Sequence, residues 1–190
     1  MQIDRLIYPI SSLGPGERLV IWTVGCSLKC RNCSNPELWR ENPDKEIDVY
    51  TLVDMIKQAV GNRKIDGITI TGGDPIEQFE ELVLLLSLLA EITDDVLLYT
   101  GRRLEDINNV LGKTEFDALF RLASVLIDGK YVDELNHIDC PLRGSSNQNI
   151  IYFDESLKEK YSDYLKKGRT IQNVFYGDKM ISVGIHNTGL

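Results

Sequence analysis

Apolar residues along the chain follow two periods, and segments of the two kinds alternate. Short runs rich in β-branched residues, typical of buried strands, occupy residues 18–24, 67–71, 96–100, 124–128 and 148–153. Longer segments with apolar residues every three or four positions, typical of helices, occupy residues 49–60, about 75–92, 104–111 and 115–123. This order of elements predicts an α/β fold in which parallel strands are joined by helical crossovers.

The tail of the chain follows a different pattern. Residues 170–185 contain two β-rich runs separated by the turn sequence YGDK, which predicts a β-hairpin rather than another strand–helix unit. No internal repeat, low-complexity tract or linker divides the chain, and 190 residues are enough to bury one core. We therefore predict a single domain over residues 1–190.

The unusual residues of the chain fall at one kind of position. Parallel strands joined by helices either close into a barrel or form an open sheet, and both architectures bind ligands at the C-terminal ends of the strands. Here the cysteines follow the first predicted strand, GGDP the second, GRR the third and DGKY the fourth. The sequence therefore predicts a ligand site at this edge of the sheet.

Composition narrows the function classes. The chain has 21 Lys and Arg against 29 Asp and Glu, a net charge of −8, whereas proteins that bind nucleic acid usually carry an excess of basic residues. The richest apolar run, LVLLLSLLAEI from Leu82, is too short to cross a bilayer, and no signal-peptide pattern opens the chain. We expect a cytoplasmic protein that binds neither nucleic acid nor a membrane.

Three of the four cysteines, Cys26, Cys30 and Cys33, lie in one short segment. Thiolates select zinc, copper(I) or iron-sulfur clusters, and the C-x3-C-x2-C spacing lets one loop surround a metal centre. Structural zinc sites and four-iron clusters normally take four protein ligands, so three ligands leave a coordination position open for a substrate. Two alternatives stay open: a zinc site completed by Cys140 or His137, and a redox pair of Cys30 and Cys33.

The segment Gly72-Gly73-Asp74 follows the second predicted strand. Asp74 is typical of a helix N-cap, and Glu77 is at the position of a capping-box glutamate, so a helix start explains part of the pattern. Capping does not require the glycines, which at a strand end let the backbone approach a ligand closely. We predict both roles, helix cap and cofactor contact.

Thr100 and Asp128 end the third and fourth predicted strands, and an ordinary turn is the alternative explanation for both. Their positions place a hydroxyl and a carboxylate at the edge where the ligand site is expected. The loop RGSSNQ, residues 143–148, adds polar groups before the fifth strand.

The segment GCSLKCRNCSNPELW resembles the cluster-binding loop of radical S-adenosylmethionine enzymes. With TGGDP, YTGRRLEDI, LIDGKYVDEL and PLRGSSNQ in this order and spacing, the chain is similar to the anaerobic ribonucleotide reductase activating enzymes, relatives of the pyruvate formate-lyase activating enzyme. The resemblance covers about residues 19–153. It implies a partial (β/α) barrel of the radical S-adenosylmethionine type. From Leu157 onward the sequence does not match the short ending of that family, so residues 157–190, with the predicted β-hairpin, are a C-terminal extension.

The resemblance also implies the cofactors and their ligands. Cys26, Cys30 and Cys33 would hold a 4Fe-4S cluster whose remaining iron binds the amine and carboxylate of S-adenosylmethionine. The cofactor pocket would include Gly72, Gly73, Asp74, Thr100, Asp128 and Asn32. Asn32 stands where many members of the superfamily carry an aromatic residue that contributes to the adenine pocket.

The implied reaction is radical chemistry. The reduced cluster would pass one electron to S-adenosylmethionine, and the resulting 5'-deoxyadenosyl radical would take a hydrogen atom from a glycine of a partner glycyl-radical enzyme, anaerobic ribonucleotide reductase. An electron donor such as flavodoxin or ferredoxin would reduce the cluster, and no side chain would act as an acid or a base. The alternatives are a radical S-adenosylmethionine enzyme acting on another glycyl-radical protein, a peptide or a small molecule, and a non-enzymatic zinc or iron-sulfur binding module.

Overall fold

The computed structural model describes residues 1–61 and 63–186. In this part of the chain, six strands form one sheet: β1 (Ile3–Ile10), β2 (Arg18–Thr23), β3 (Gly67–Gly72), β4 (Val96–Tyr99), β5 (Val125–Asp128) and β6 (Asn149–Tyr152). The strands lie side by side in chain order. Strands β2 to β5 are parallel, whereas β1 and β6 run antiparallel to their neighbours at the two edges. The α/β prediction with a mainly parallel sheet is therefore confirmed.

Helices connect the parallel strands and continue after them: α1 (Val49–Val60), α2 (Phe79–Leu89), α3 (Leu104–Val110), α4 (Lys113–Leu122) and α5 (Lys158–Leu165). Helix α1 has the predicted bounds, because Asp48 caps its N-terminus and Gly61 ends it with a positive φ of 60°, which glycine adopts readily. None of the helices in the described ranges is long and apolar enough to cross a bilayer.

Three elements differ from the sequence prediction. Strand β1 was not predicted and pairs antiparallel with β2, with Ile7 opposite Val20. Strand β6 pairs antiparallel with β5, so the parallel order stops at β5. Helix α5 was not predicted because its buried residues are only two tyrosines, Tyr161 and Tyr164, in an otherwise polar segment.

The two faces of the sheet are covered differently. Successive residues of a strand point to opposite faces, and on β2 Leu19 and Ile21 pack in the cluster that contains the buried residues of α1, α2 and α4. Val20 and Trp22 point the other way, towards the predicted hairpin, which is confirmed as β7 (Ile171–Tyr176) and β8 (Lys179–Gly184). On the same face, α5 packs against β4 and β5. The extension is thus part of the folded core.

A buried polar group lies on this second face, at the N-terminal ends of β2 and β3. Arg18 donates from Nε to Thr69 Oγ1 at 2.8 Å and from Nη2 to Asp95 Oδ1 at 3.0 Å. From α5, Tyr161 donates to Asp95 Oδ1 at 2.8 Å, and Lys160 donates to Asp95 Oδ2 at 2.7 Å. These five residues, termed the polar plug, tie α5 to the sheet.

Candidate functional site

A pocket opens at the C-terminal ends of the parallel strands. Trp22 of β2, Thr71 of β3 and Tyr99 of β4 line it, as do Thr100 and Gly129, which follow β4 and β5. The pocket therefore lies at the edge of the sheet that the sequence indicated as the ligand site, opposite the end that holds the polar plug.

All three clustered cysteines line this pocket. Their loop begins where β2 ends, and it is held there because the Cys26 N–H donates to the carbonyl of Trp39 at 3.0 Å. Cys30 is buried, whereas Cys26 and Cys33 are half-buried. Each of these cysteines, like Cys140, is a free thiol, so no disulfide competes with metal binding.

Backbone N–H groups are already directed at the thiol sulfurs. Burial raises the pKa of the Cys26 and Cys30 thiols, and on Cys26 hydrogen bonds from the backbone of Leu28 and Lys29 act in the opposite direction. The N–H of Asn35 donates to Cys33 Sγ at 3.4 Å. Metal binding requires thiolates, so N–H donors that favour the negative form of sulfur suit a ligand loop.

The donor set fits an iron-sulfur cluster better than a single metal ion. Among residues 1–61 and 63–186, no group of three or more His, Cys, Asp and Glu side chains is arranged to hold one ion. A four-iron cluster takes its thiolates on different irons, so its ligands surround a group of atoms rather than converge on one point. Cys140 is buried away from the pocket lining and His137 is exposed outside it, which disfavours the four-ligand zinc alternative.

The glycine pair brings the end of β3 against the cysteine loop. A Cβ on Gly73 would lie 2.2 Å from the carbonyl oxygen of Gly25, and a Cβ on Gly72 would lie 2.4 Å from the backbone nitrogen of Thr23. The Asp74 N–H donates to the same Gly25 carbonyl at 2.8 Å. The close backbone approach predicted for these glycines is therefore made to the protein itself, by Gly72 to the end of β2 and by Gly73 to the start of the cysteine loop. Both glycines also line the pocket.

Asp74 lies behind the pocket wall. Its side chain is fully buried, accepts the Ile76 N–H at 3.2 Å as a helix cap, and accepts the Thr100 hydroxyl at 2.8 Å. Burial raises the pKa of Asp74, while the hydrogen bonds from Thr100 and Ile76 act against that rise. The predicted cap is confirmed, and Thr100, not Asp74, is the residue of this pair that lines the pocket.

Glu77 does not complete a capping box, so that part of the sequence prediction was wrong. The Asp74 N–H is occupied by Gly25, and Glu77 Oε1 instead accepts the backbone N–H of Ser27 at 2.7 Å and Arg102 Nη2 at 3.1 Å. Glu77, in the turn after β3, thus links the cysteine loop to the residues that follow β4.

Asp128 and Asn32 do not lie among the residues that line the cysteine pocket. The Asp128 carboxylate accepts the Leu104 N–H at 2.9 Å, at the start of α3, and the side-chain amide of Asn149 at 2.8 Å. Asn32 has a left-handed backbone with φ of 54°, which asparagine tolerates well, and donates to Asp133 Oδ2 at 2.6 Å. Both side chains hold neighbouring loops in place.

The C-terminal hairpin forms a wall of the pocket that the sequence did not reveal. Ile181, Val183 and Ile185 line the pocket. Arg169 fixes this segment to the loop before β6, since it donates to the carbonyls of Arg143 at 3.1 Å and of His186 at 3.3 Å. Alternating apolar residues indicate a buried face, but they do not indicate which surface that face covers.

Two further pocket residues, Arg5 and Trp39, were also missed. Arg5 comes from the unpredicted strand β1, and its guanidinium carbon lies 4.9 Å from the centre of the Trp22 ring. Trp39 ends the segment GCSLKCRNCSNPELW, whose tryptophan position gave the only sequence signal for it. The polar loop of residues 143–148 does reach the pocket, through Gly144 and Gln148.

The chain matches known proteins over most of its length. Residues 12–151 match the family described as the 4Fe-4S single cluster domain. The anaerobic ribonucleoside-triphosphate reductase-activating protein of enterobacteria phage T4 is 33% identical over 155 residues, which cover 79% of this chain and 93% of that protein. The protein of the same name from Escherichia coli K12 is 30% identical over 151 residues, covering 75% and 94%.

Two more distant proteins complete the comparison. The pyruvate formate-lyase-activating enzyme of Staphylococcus aureus is 29% identical over 150 residues, covering 77% of this chain and 59% of that enzyme. The solved structure of QueE from Escherichia coli has a TM-score of 0.43 and 18% identity over 53% of this chain and 52% of that chain, a likeness too low to define the fold. The resemblance found in the sequence is confirmed, and the family match ends at residue 151, before α5 and the hairpin.

Proposed function

We propose that this chain, which belongs to the 4Fe-4S single cluster domain family and to the radical S-adenosylmethionine activating enzymes within it, activates a glycyl-radical enzyme, anaerobic ribonucleotide reductase. The observation that carries the proposal is the presence of Cys26, Cys30 and Cys33 in one pocket with the glycine pair that follows β3. The near-complete coverage of the T4 and Escherichia coli activating proteins supports the choice of partner.

The protein's own part in the reaction is to hold and shield its cofactors. Cys26, Cys30 and Cys33 would bind a 4Fe-4S cluster and leave one iron free. When bound, the cluster and S-adenosylmethionine supply the one-electron chemistry that removes a hydrogen atom from a glycine of the partner. The apolar tail wall, formed by Ile181 and Val183, would keep water from the reacting atoms.

We propose that S-adenosylmethionine contacts the backbone of Gly72 and Gly73 and the hydroxyl of Thr100, which line the pocket. Asp74 would act through Thr100, because their hydrogen bond orients the hydroxyl. The predicted contacts of Asp128 and Asn32 with the cofactor stay predictions. No side chain is assigned as a catalytic acid or base, since hydrogen-atom abstraction requires neither.

The remaining assignments belong to the same proposal. The sheet that carries the pocket would be a partial (β/α) barrel within a single domain, with a core at about 19–153 and an extension at 157–190. An electron donor such as flavodoxin or ferredoxin would reduce the cluster in the cytoplasm. The open side of the pocket would admit the glycine-bearing loop of the reductase.

The experiment is anaerobic reconstitution with iron and sulfide, followed by reduction with S-adenosylmethionine present. We expect a brown protein that forms 5'-deoxyadenosine and, with an anaerobic ribonucleotide reductase added, a glycyl radical visible by electron paramagnetic resonance (EPR). Cofactor cleavage without a radical on the reductase would favour a different substrate. A colourless zinc protein would contradict the proposal.

Matched cysteine variants locate the cluster. Cys26→Ala, Cys30→Ala and Cys33→Ala should each abolish cofactor cleavage, because each removes a thiolate from the pocket. Cys140→Ala should keep it, because Cys140 is buried outside the pocket lining. An equal loss in all four variants would indicate a centre with four thiolates instead.

A further inference from the structure

Two N–H groups in the wall of the cysteine pocket have no hydrogen-bond acceptor among the described residues: Nε1 of Trp39 and Nε of Arg5. A buried donor without a partner costs about 1–3 kcal/mol relative to a satisfied one. Native proteins therefore contain few such groups, and those they contain are commonly explained by a bound ligand or ordered water. Two such donors in one pocket therefore indicate that a bound group supplies an acceptor there.

The rest of each side chain is held firmly, so the free donors are fixed in place. Arg5 Nη2 donates to Asn35 Oδ1 at 3.0 Å, and the Arg5 guanidinium lies over the Trp22 ring. The backbone N–H of Trp39 donates to the carbonyl of Pro36 at 3.3 Å, which fixes the position of the residue. Neither side chain needs to rearrange to serve an acceptor.

Both residues are also bound to the cysteine loop. The Trp39 carbonyl accepts the N–H of Cys26 at 3.0 Å. Asn35, which accepts from Arg5, donates its own backbone N–H to Cys33 Sγ at 3.4 Å. Cys26 is thus linked to Trp39 by one hydrogen bond, and Cys33 is linked to Arg5 by two, through Asn35.

We propose that Trp39 Nε1 and Arg5 Nε donate hydrogen bonds to sulfur atoms of the cluster and its thiolates, and thereby set the reduction potential of the cluster. This inference rests on the proposed function only in requiring a cluster at the three cysteines. Sulfide and thiolate sulfurs carry negative charge that increases on reduction, so N–H donors and a nearby guanidinium favour the reduced form. The two residues are positioning and tuning residues rather than catalytic ones.

The test is the midpoint potential of the reconstituted cluster, measured by EPR-monitored redox titration without S-adenosylmethionine. Trp39→Phe removes the indole N–H and keeps an aromatic ring. Arg5→Lys keeps the charge but removes Nε together with the Nη2 donor to Asn35. Each should make the cluster up to about tenfold harder to reduce, the scale of one hydrogen bond to a charged group. For one electron that is a shift of about 59 mV to more negative potential.

Tyr99→Phe is the matched control. Tyr99 lines the same pocket, but its hydroxyl already donates to the carbonyl of Leu142 at 2.7 Å. Its removal should leave the potential unchanged and should lower the stability of the cluster-free protein, because the Leu142 carbonyl loses its partner.

The free energy of unfolding of the cluster-free protein is a second readout, and it distinguishes hydrogen bonding to the cluster from a purely structural role of Trp39. Trp39→Phe should lower this free energy of unfolding only by the packing lost with the smaller ring, because the indole N–H has no partner to leave unpaired. A larger loss of stability in cluster-free Trp39→Phe than in Tyr99→Phe would overturn the inference, and so would unchanged potentials in both variants with full iron content. An unchanged potential together with weaker binding of S-adenosylmethionine would also overturn the inference, because it would show that the two donors bind the carboxylate of the cofactor rather than sulfur atoms of the cluster. Failure of the wild-type protein to assemble a cluster would contradict the proposed function itself, which iron and sulfide analysis detects separately.

Discussion

The polar plug and the cysteine pocket lie at opposite ends of β2 and β3. They differ in whether their buried N–H groups have hydrogen-bond acceptors. In the plug, Arg18 is fully buried, yet all three of its nitrogens donate, to Thr69, to the Pro15 carbonyl and to Asp95. Asp95 in turn accepts from Tyr161 and Lys160. In the pocket, N–H groups of Trp39 and Arg5 find no acceptor in the described part of the chain.

The difference distinguishes a region that stabilises the fold from a region that is suited to bind a ligand. A buried polar network in which every group has a partner fixes the packing of the elements that contribute to it. Donors held rigidly without an acceptor lower stability and are retained where a ligand uses them. The contrast supports the proposal that the pocket is the functional end of the sheet, and it can be tested from the plug side as well.

The largest effect is expected from Arg18→Met. The substitution leaves the Asp95 carboxylate buried without its main cationic partner, which typically costs about 3–5 kcal/mol. Urea unfolding of the cluster-free protein measures the loss. Arg121→Met on the exposed side of α4 is the control and should change stability little. A loss as small as that of the control would show that the plug does not stabilise the fold.

A smaller effect is expected from Arg169→Ala at the pocket end. Removal of this side chain takes donors from the carbonyls of Cys140, Arg143 and His186 and should cost about 2 kcal/mol. The hairpin should then exchange its amide hydrogens faster, and the reconstituted cluster should be bleached faster by oxygen. Wild-type exchange rates in residues 171–186 would contradict the role of Arg169 in holding the wall.

The plug also predicts how stability depends on pH. Burial alone would raise the pKa of Asp95, but the charge of Arg18 and hydrogen bonds from Arg18, Lys160 and Tyr161 hold that pKa below its usual range. The stabilisation is complete above the unfolded pKa, about 3.9 for aspartate, and is lost as pH falls through the lower folded pKa. The difference in unfolding free energy between wild type and Asp95→Asn should therefore shrink on acidification, and a constant difference would contradict this.

The smallest effect is expected at an exposed ion pair of α5. Lys166 lies 2.7 Å from Asp163, but both side chains are mostly exposed to solvent, with 71% and 64% of their surface accessible. Such pairs contribute little because water and salt screen them. Lys166→Ala should unfold at the same urea concentration as the wild type, and a clear shift would mean that charge alone, without burial, stabilises this helix.

The sequence alone was sufficient to predict features that depend on neighbouring residues in the chain. The period of apolar residues predicted α1 with its bounds, and the spacing of Cys26, Cys30 and Cys33 predicted a shared site. The direction of β6 is not local information, because an antiparallel strand has the same composition as a parallel one of equal burial. Helix α5 was missed because two tyrosines supply its buried surface.

The missed site residues depend on contacts between distant parts of the chain. Arg18 stands at the start of a predicted strand, where only the position of Asp95 reveals that it is buried and paired. Arg5 and Arg169 reach their partners from β1 and from the tail, so no local pattern marks them. Asp128 has the position of a site residue, but its carboxylate serves the first turn of α3.

The wall contributed by Ile181, Val183 and Ile185 has a consequence for biosynthesis. On the ribosome, the cysteine loop emerges long before residues 171–186, which supply this wall of the pocket. We expect iron and sulfide to be retained only after translation has passed this segment. A nascent chain arrested before residue 171 should therefore carry less iron than residues 1–190 arrested on an added C-terminal linker that places the hairpin outside the exit tunnel.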